Sequence, residues 1–151
     1  MRLLRAFSPL GAVVIVAGFS LAFSLFAQAQ DKFKTRLSVV PIANANARNT
    51  VDGVGSATAT LSGTTLTIAG TFEGLKSPAT LAKVHQGTMM GVRGPAIADL
   101  TITKAAKGSI SGSLTLTPQQ AEGLKKGHLY IQIHSMGAPE GGANLWGWLV
   151  K

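Results

Sequence analysis

"SATATLSGTTLTIAGTF", residues 56–72, settles the fold class. Ala57, Ala59 and Leu61 alternate with Ser56, Thr58 and Thr60; beyond the turn signal Ser62-Gly63, Leu66, Ile68 and Phe72 alternate with Thr65, Thr67 and Thr71. A period of two sends alternate side chains to opposite faces of an extended chain, so both runs read as half-buried strands. Threonine on the outer faces suits a pleated, partly wet surface, where its branched Cβ costs little.

Working outward, the same period recurs in "FKTRLSV" (33–39), "LAKVHQG" (81–87), "AIADLTI" (96–102), "SISGSLTLT" (109–117), "LYIQIHSM" (129–136) and "NLWGWLV" (144–150). Asp52-Gly53, Gly74, Lys107-Gly108 and "GAPEGG" (137–142) supply turns, and "ANANARNT" (43–50) is expected to be a loop. Seven or eight short strands at this spacing form an antiparallel sandwich or barrel. Inward Ala57, Ala59, Ala98 and Gly112 imply sheets that approach closely. One segment departs from the period. "TPQQAEGLKKG" (117–127) has Thr117 as N-cap, Pro118 at the first helical position and Gln120 placed to complete a capping box. It predicts one short helix near 118–126, ended by Gly127 and docked on the sheets through Ala121 and Leu124.

At 151 residues the chain holds one domain. Hydrophobic residues make up 46% and charged residues 13%, which excludes a disordered chain. Part of that apolarity belongs to the N-terminus. Arg2 and Arg5 precede an uncharged run from Leu10 to Phe26, closed by Ala27-Gln28-Ala29. This is the pattern of a signal peptide over 1–29, cleaved after Ala29, with an uncleaved anchor as the alternative because the apolar run is close to the shortest span of a membrane. Cleavage leaves a domain of residues 30–151 with no stable membrane span. A periplasmic or secreted location follows. The absence of cysteine excludes a disulfide framework and a thiolate metal site, so the fold must hold by core packing. The net charge of +8 falls to +6 without Arg2 and Arg5, and the remaining cations are scattered singly apart from Lys125-Lys126. Dispersed charge on an exported chain argues against nucleic acid as a partner.

No catalytic constellation is present. "GVGSAT" (53–58) runs into a strand and lacks the helix amides that would cradle a pyrophosphate. "GSISG" has Ile110 where a nucleophilic serine would stand. The six acidic residues form no pair at acid–base spacing. The chain is therefore not expected to be an enzyme. His85 and His134 face outward, His134 together with Tyr130 and Gln132. If their strands are neighbours, His85, His134 and Met136 are candidate ligands for copper, which takes imidazole and thioether donors; otherwise no cofactor is expected. Should His85 donate to a carbonyl of the glycine-rich loop after it, its role is structural. Trp146 and Trp148 share one face opposite Leu145 and Leu149. Large aromatics usually sit inside, so the pair is read as a core wall. Exposed, they would join Lys83, Tyr130 and Gln132 in a contact surface for a protein or glycan partner.

"GSATATLSG", "GTFEGLKSPATLAKVHQG", "GPAIADL", "GSISGSLTLTPQQAEGLKKGHLYIQIHS" and "GGANLWGWL" resemble the chordin-type CHRD domain, in that family's block order, over roughly Lys34 to Val150. The resemblance implies an immunoglobulin-like, antiparallel Greek-key β-sandwich distantly similar to copper–zinc superoxide dismutase. It also implies an extracellular or exported setting. In animals such a module belongs to a growth-factor-binding protein. For this chain the implied role is a non-enzymatic binding or structural module at the cell envelope, with periplasmic copper binding as the alternative. Two places depart from the family pattern. Lys83 stands where a second histidine would give H-x-H with His85, and "GANLWG" lacks the acid and arginine of the usual closing stretch. With only three histidines, a dismutase site is not expected.

Overall fold

The alternation becomes eight strands and one helix: β1 (Gln30–Val39), β2 (Val54–Ser62), β3 (Thr65–Glu73), β4 (Ala79–Gln86), β5 (Ala96–Ile102), β6 (Gly108–Thr115), α1 (Pro118–Lys125), β7 (Leu129–Ser135) and β8 (Ala143–Trp148). The computed structural model describes residues 29–42, 45–139 and 142–151, so residues 1–28 of the expected leader lie outside the described residues. Within the expected loop at 43–50, Ala45–Asn49 winds into a short 3-10 turn that buries Ala47.

The strands run in the order β1-β2-β3-β6-β5-β4-β7-β8, and β8 returns to β1 to close a barrel. Every pairing is antiparallel. The spatial order β6-β5-β4-β7 is a Greek key, in which α1 carries the chain from β6 across to β7.

Closure corrects the expected two-sheet sandwich. The ladders β1-β2-β3-β6 and β5-β4-β7-β8 are stitched at two narrow seams. Thr101 and Ile102 of β5 pair with Ser111 and Ile110 of β6. Ser38 and Val39 of β1 pair with Trp146 and Leu145 of β8, and a bridge between Lys34 and Val150 continues that seam. There the amide of Lys34 donates to the carbonyl of Val150 at 2.7 Å, and the amide of Val150 donates back at 3.0 Å. β1 spans ten residues, long enough to pair with β2 along most of its length and with β8 along its other edge. A period of two cannot distinguish the two architectures, because strands of both have one inner and one outer face. Closure also pairs the strand edges that an open sandwich would leave bare.

The interior is filled as the alternation requires. Phe33, Leu37, Leu66, Ile68, Ile131 and Ile133 are at most 1% exposed. Ala57 and Ala59 are buried opposite them, and a Cβ on Gly112 would strike Leu100, so that glycine makes room for a neighbouring side chain. The helix forms as predicted. The Gln120 amide donates to Thr117 Oγ1 at 3.2 Å, and the Thr117 amide donates to Gln120 Oε1 at 2.9 Å. Lys126 caps its C-terminus, Gly127 follows at φ 74°, and Leu124 docks it on the barrel, fully buried.

Candidate functional site

Antiparallel register arranges the outer face of β4, β7 and β8 in two rows. One runs Ser38, Trp146, Gln132, Lys83, Asp99 across β1, β8, β7, β4 and β5. The other runs Trp148, Tyr130, His85 across β8, β7 and β4. Side chains directly opposite on antiparallel strands are neighbours on one face, so each row is a line of adjacent groups.

The second row is an aromatic stack. The rings of His85 and Tyr130 lie 4.9 Å apart and 18° from parallel, and Tyr130 meets Trp148 at 4.4 Å. Trp146 presents an edge to Trp148 at 5.8 Å. Tyr130 is buried although it points away from the barrel interior, because the β4–β5 connection folds back over it. The amide of Gly94 donates to Tyr130 Oη at 3.1 Å, and that hydroxyl donates to the Gly94 carbonyl at 3.2 Å. His85 Nδ1 lies 2.9 Å from the same carbonyl. A carbonyl only accepts, so Nδ1 carries the proton in this contact. The other ring nitrogen, Nε2, is buried with no hydrogen-bond partner among the described residues. Arg93, one residue before Gly94, places its guanidinium 5.6 Å from the Trp146 ring centroid.

The sequence candidates do not gather into one cluster. His85 is held by the glycine-rich loop, the arrangement that gives it a structural role. Lys83 pairs with Asp99 at 2.6 Å in the open. The Gln132 amide, nearly buried, donates to His134 Nε2 at 2.8 Å. The register does not bring His85 and His134 together: His85 faces Tyr130 across the ladder, whereas His134 faces Leu81. Four residues of strand, at about 3.3 Å each, put them roughly 13 Å apart. A shared ion with bonds of about 2 Å needs the two nitrogens within about 4 Å of each other. Met136 lies past the end of β7, 74% exposed, its amide donating to the Pro78 carbonyl at 3.1 Å. Among the described residues no three His, Asp or Glu side chains gather around a common point.

Trp146 and Trp148 correct the core-wall expectation. They stand outside the barrel, half-buried, while Leu145 and Leu149 fill the interior with no exposure. Alternation allows only one of these pairs inside, and the leucines occupy that face. The tryptophans bury their remaining area against Tyr130 and each other. Together with Lys34, Arg36, Ser38 and Met90 they line an open groove of about 400 Å³. A larger hollow of about 820 Å³ elsewhere has only the surface charges Arg36, Glu73 and Lys107 among its ionisable groups and no aromatic cluster. Arg93 and Gly94 complete the site without any signal in the sequence, since neither occupies a periodic position.

The CHRD domain model matches residues 33–142. No curated protein and no solved structure matches the chain. The matched span runs from Phe33 within β1 to the turn before β8, and with it takes in His85, Tyr130 and the loop that covers them. The chain belongs to the CHRD domain family.

Proposed function

We propose that this protein is an exported, non-enzymatic binding module that engages a component of the cell envelope through the outer face of β8, β7 and β4. One observation carries the reading: two tryptophans turned away from the barrel interior line an open groove together with Lys34 and Arg36. Indoles left half-exposed beside cations are the side chains that supply most contact energy at binding surfaces. The groups best suited to proton transfer are engaged in holding the face together, His85 through Gly94 and His134 through Gln132. That is why a contact surface accounts for this face better than a reaction centre does.

The test is photo-cross-linking in cells, with a photoreactive residue in place of Ser38 at the groove edge. Cell fractionation should find the protein in the envelope or the medium. Its cross-links should go to an envelope component and disappear in Trp146→Ala/Trp148→Ala. A cytoplasmic protein, or cross-links indifferent to both tryptophans, would remove the basis of the reading.

A further inference from the structure

Seven large apolar side chains stand exposed among the described residues, and Met89, Met90, Val92 and Val150 are four of them. Met90 and Val150 meet at Gly127, and Met89 and Val92 flank Met90 in one turn. The amide of Val92 donates to the carbonyl of Met89 at 3.2 Å, a tight turn that gathers both at the tip of the β4–β5 connection, with Gly91 supplying φ 86°. A Cβ placed on Gly127 would lie 3.1 Å from Met90 Cε and 3.7 Å from Val150 Cγ1, so these two side chains rest against the same backbone. Met90 and Val150 also line the groove together with Trp146 and Trp148. Loop tip, C-terminal strand end and tryptophans therefore form one apolar surface.

Its charge has one sign. Lys34 and Arg36 line the groove, Arg93 follows the tip, and no carboxylate among the described residues lines it. None of these three cations forms an ion pair among the described residues, where Lys83, Lys125 and Lys151 take Asp99, Glu122 and Asp31. We propose that this patch docks the protein on an anionic lipid surface. Met89, Met90 and Val92 enter the headgroup layer, the indoles sit at the interface, and Lys34, Arg36 and Arg93 face lipid phosphates. Slender methionines adapt to a fluid surface, tryptophan prefers the boundary between water and hydrocarbon, and cations near an anionic leaflet each strengthen attachment. No helix among the described residues is long and apolar enough to cross a membrane, and the attachment proposed for this patch is a peripheral one.

A glycan fits less well. Sugar hydroxyls call for convergent amides and carboxylates, whereas Gln132, which faces Trp146 across the ladder, donates its amide to His134, and Thr35 Oγ1 donates to the Arg36 carbonyl. The inference rests on the envelope placement proposed above but has its own test.

Trp146 and Trp148 are the chain's two tryptophans, so its indole fluorescence reports this patch alone. The full chain, as recovered from cells, is mixed with vesicles of phosphatidylglycerol and phosphatidylcholine carrying brominated acyl chains. The expected result is quenching that weakens with salt and is absent on vesicles of phosphatidylcholine alone. Met89→Asp/Met90→Asp and the milder Met89→Ser/Met90→Ser should abolish or sharply reduce it, with circular dichroism unchanged. Lys34→Gln and Arg36→Gln should each weaken binding roughly fivefold. Absence of quenching, equal quenching on neutral vesicles, or quenching indifferent to both methionine pairs overturns the proposal. Groove cross-links to a protein or glycan without vesicle quenching would overturn lipid docking and leave the envelope module standing. Quenching by a protein that stays in the cytoplasm would do the reverse.

Discussion

Tyr130 and Gly94 bond in both directions, the Gly94 amide donating to the phenol oxygen at 3.1 Å and the phenol donating to the Gly94 carbonyl at 3.2 Å. Thirty-six residues separate them. Their reciprocal pair is the clasp that lays the β4–β5 connection over the outer face of the barrel, and it gives that face its shape: the same loop carries Arg93 to Trp146 and Met90 to the groove.

Tyr130→Phe tests the clasp. It keeps the ring stack with His85 and Trp148 but removes both hydroxyl bonds, leaving the Gly94 amide without its acceptor. The expected cost is about 1–3 kcal/mol, a drop of several degrees in melting temperature. Exchange at the Gly94 amide should accelerate while strand amides of β4 and β7 keep their protection. An unchanged Gly94 exchange rate would show that the loop is held by something else.

Copper should distinguish the two imidazoles rather than join them. Each ring is tied by its own bond, His85 to the Gly94 carbonyl at 2.9 Å and His134 to the Gln132 amide at 2.8 Å, four strand positions apart. In a copper titration followed by imidazole NMR signals, His85→Ala and His134→Ala should act additively within about 0.5 kcal/mol, as separated sites do. One equivalent shifting both signals together would overturn the strand register.

Most of the fold was legible in the sequence because it rests on local chemistry. Leu66, Ile68, Ile131 and Ile133 enter the core through alternation alone, and Thr117, Pro118 and Gln120 announce the helix start through capping chemistry. Barrel closure was not legible. Whether Val39 pairs with Leu145 depends on the bend of β1, and no periodicity records a bend. The site divides the same way. Outward placement of His85, Tyr130, Gln132 and His134 follows from the period of two, but the distance between His85 and His134 follows from register, which is set by partner strands. Side-chain size is a poor guide to the tryptophans, because Leu145 and Leu149 opposite them already hold the inner face.

Thr117→Ala removes half of the capping box. α1 has eight residues, too few to be stable alone, and its cap fixes the turn that carries the chain from β6 to β7. The expected loss is about 1 kcal/mol. Thr117→Ser should recover most of it in urea denaturation. Equal losses for both variants would shift the role from the hydroxyl to the methyl group.

The β1–β8 seam depends on Gly147. A Cβ there would press on Thr35 Oγ1 and the Arg36 carbonyl, with Leu37 Cδ2 only 2.9 Å away. A side-chain tip can move aside, whereas a carbonyl moves only with β1 itself. Gly147 also faces Ile131 of β7, so β8 cannot retreat without disturbing the core. Gly147→Ala should therefore cost more than about 2 kcal/mol, as overpacking of a tight interior does. Gly91→Ala is the control. Its φ is 86° but nothing lies within 4 Å of its Cβ, so it should cost only about 1 kcal/mol of backbone strain. Fluorescence of Trp146 and Trp148 separates the two effects, since prying β8 from β1 shifts their emission to the red and loop strain at Gly91 leaves it in place. Equal stability of Gly147→Ala and wild type would mean that β1 and β8 lie apart in solution, and the molecule would then be an open sandwich rather than a barrel.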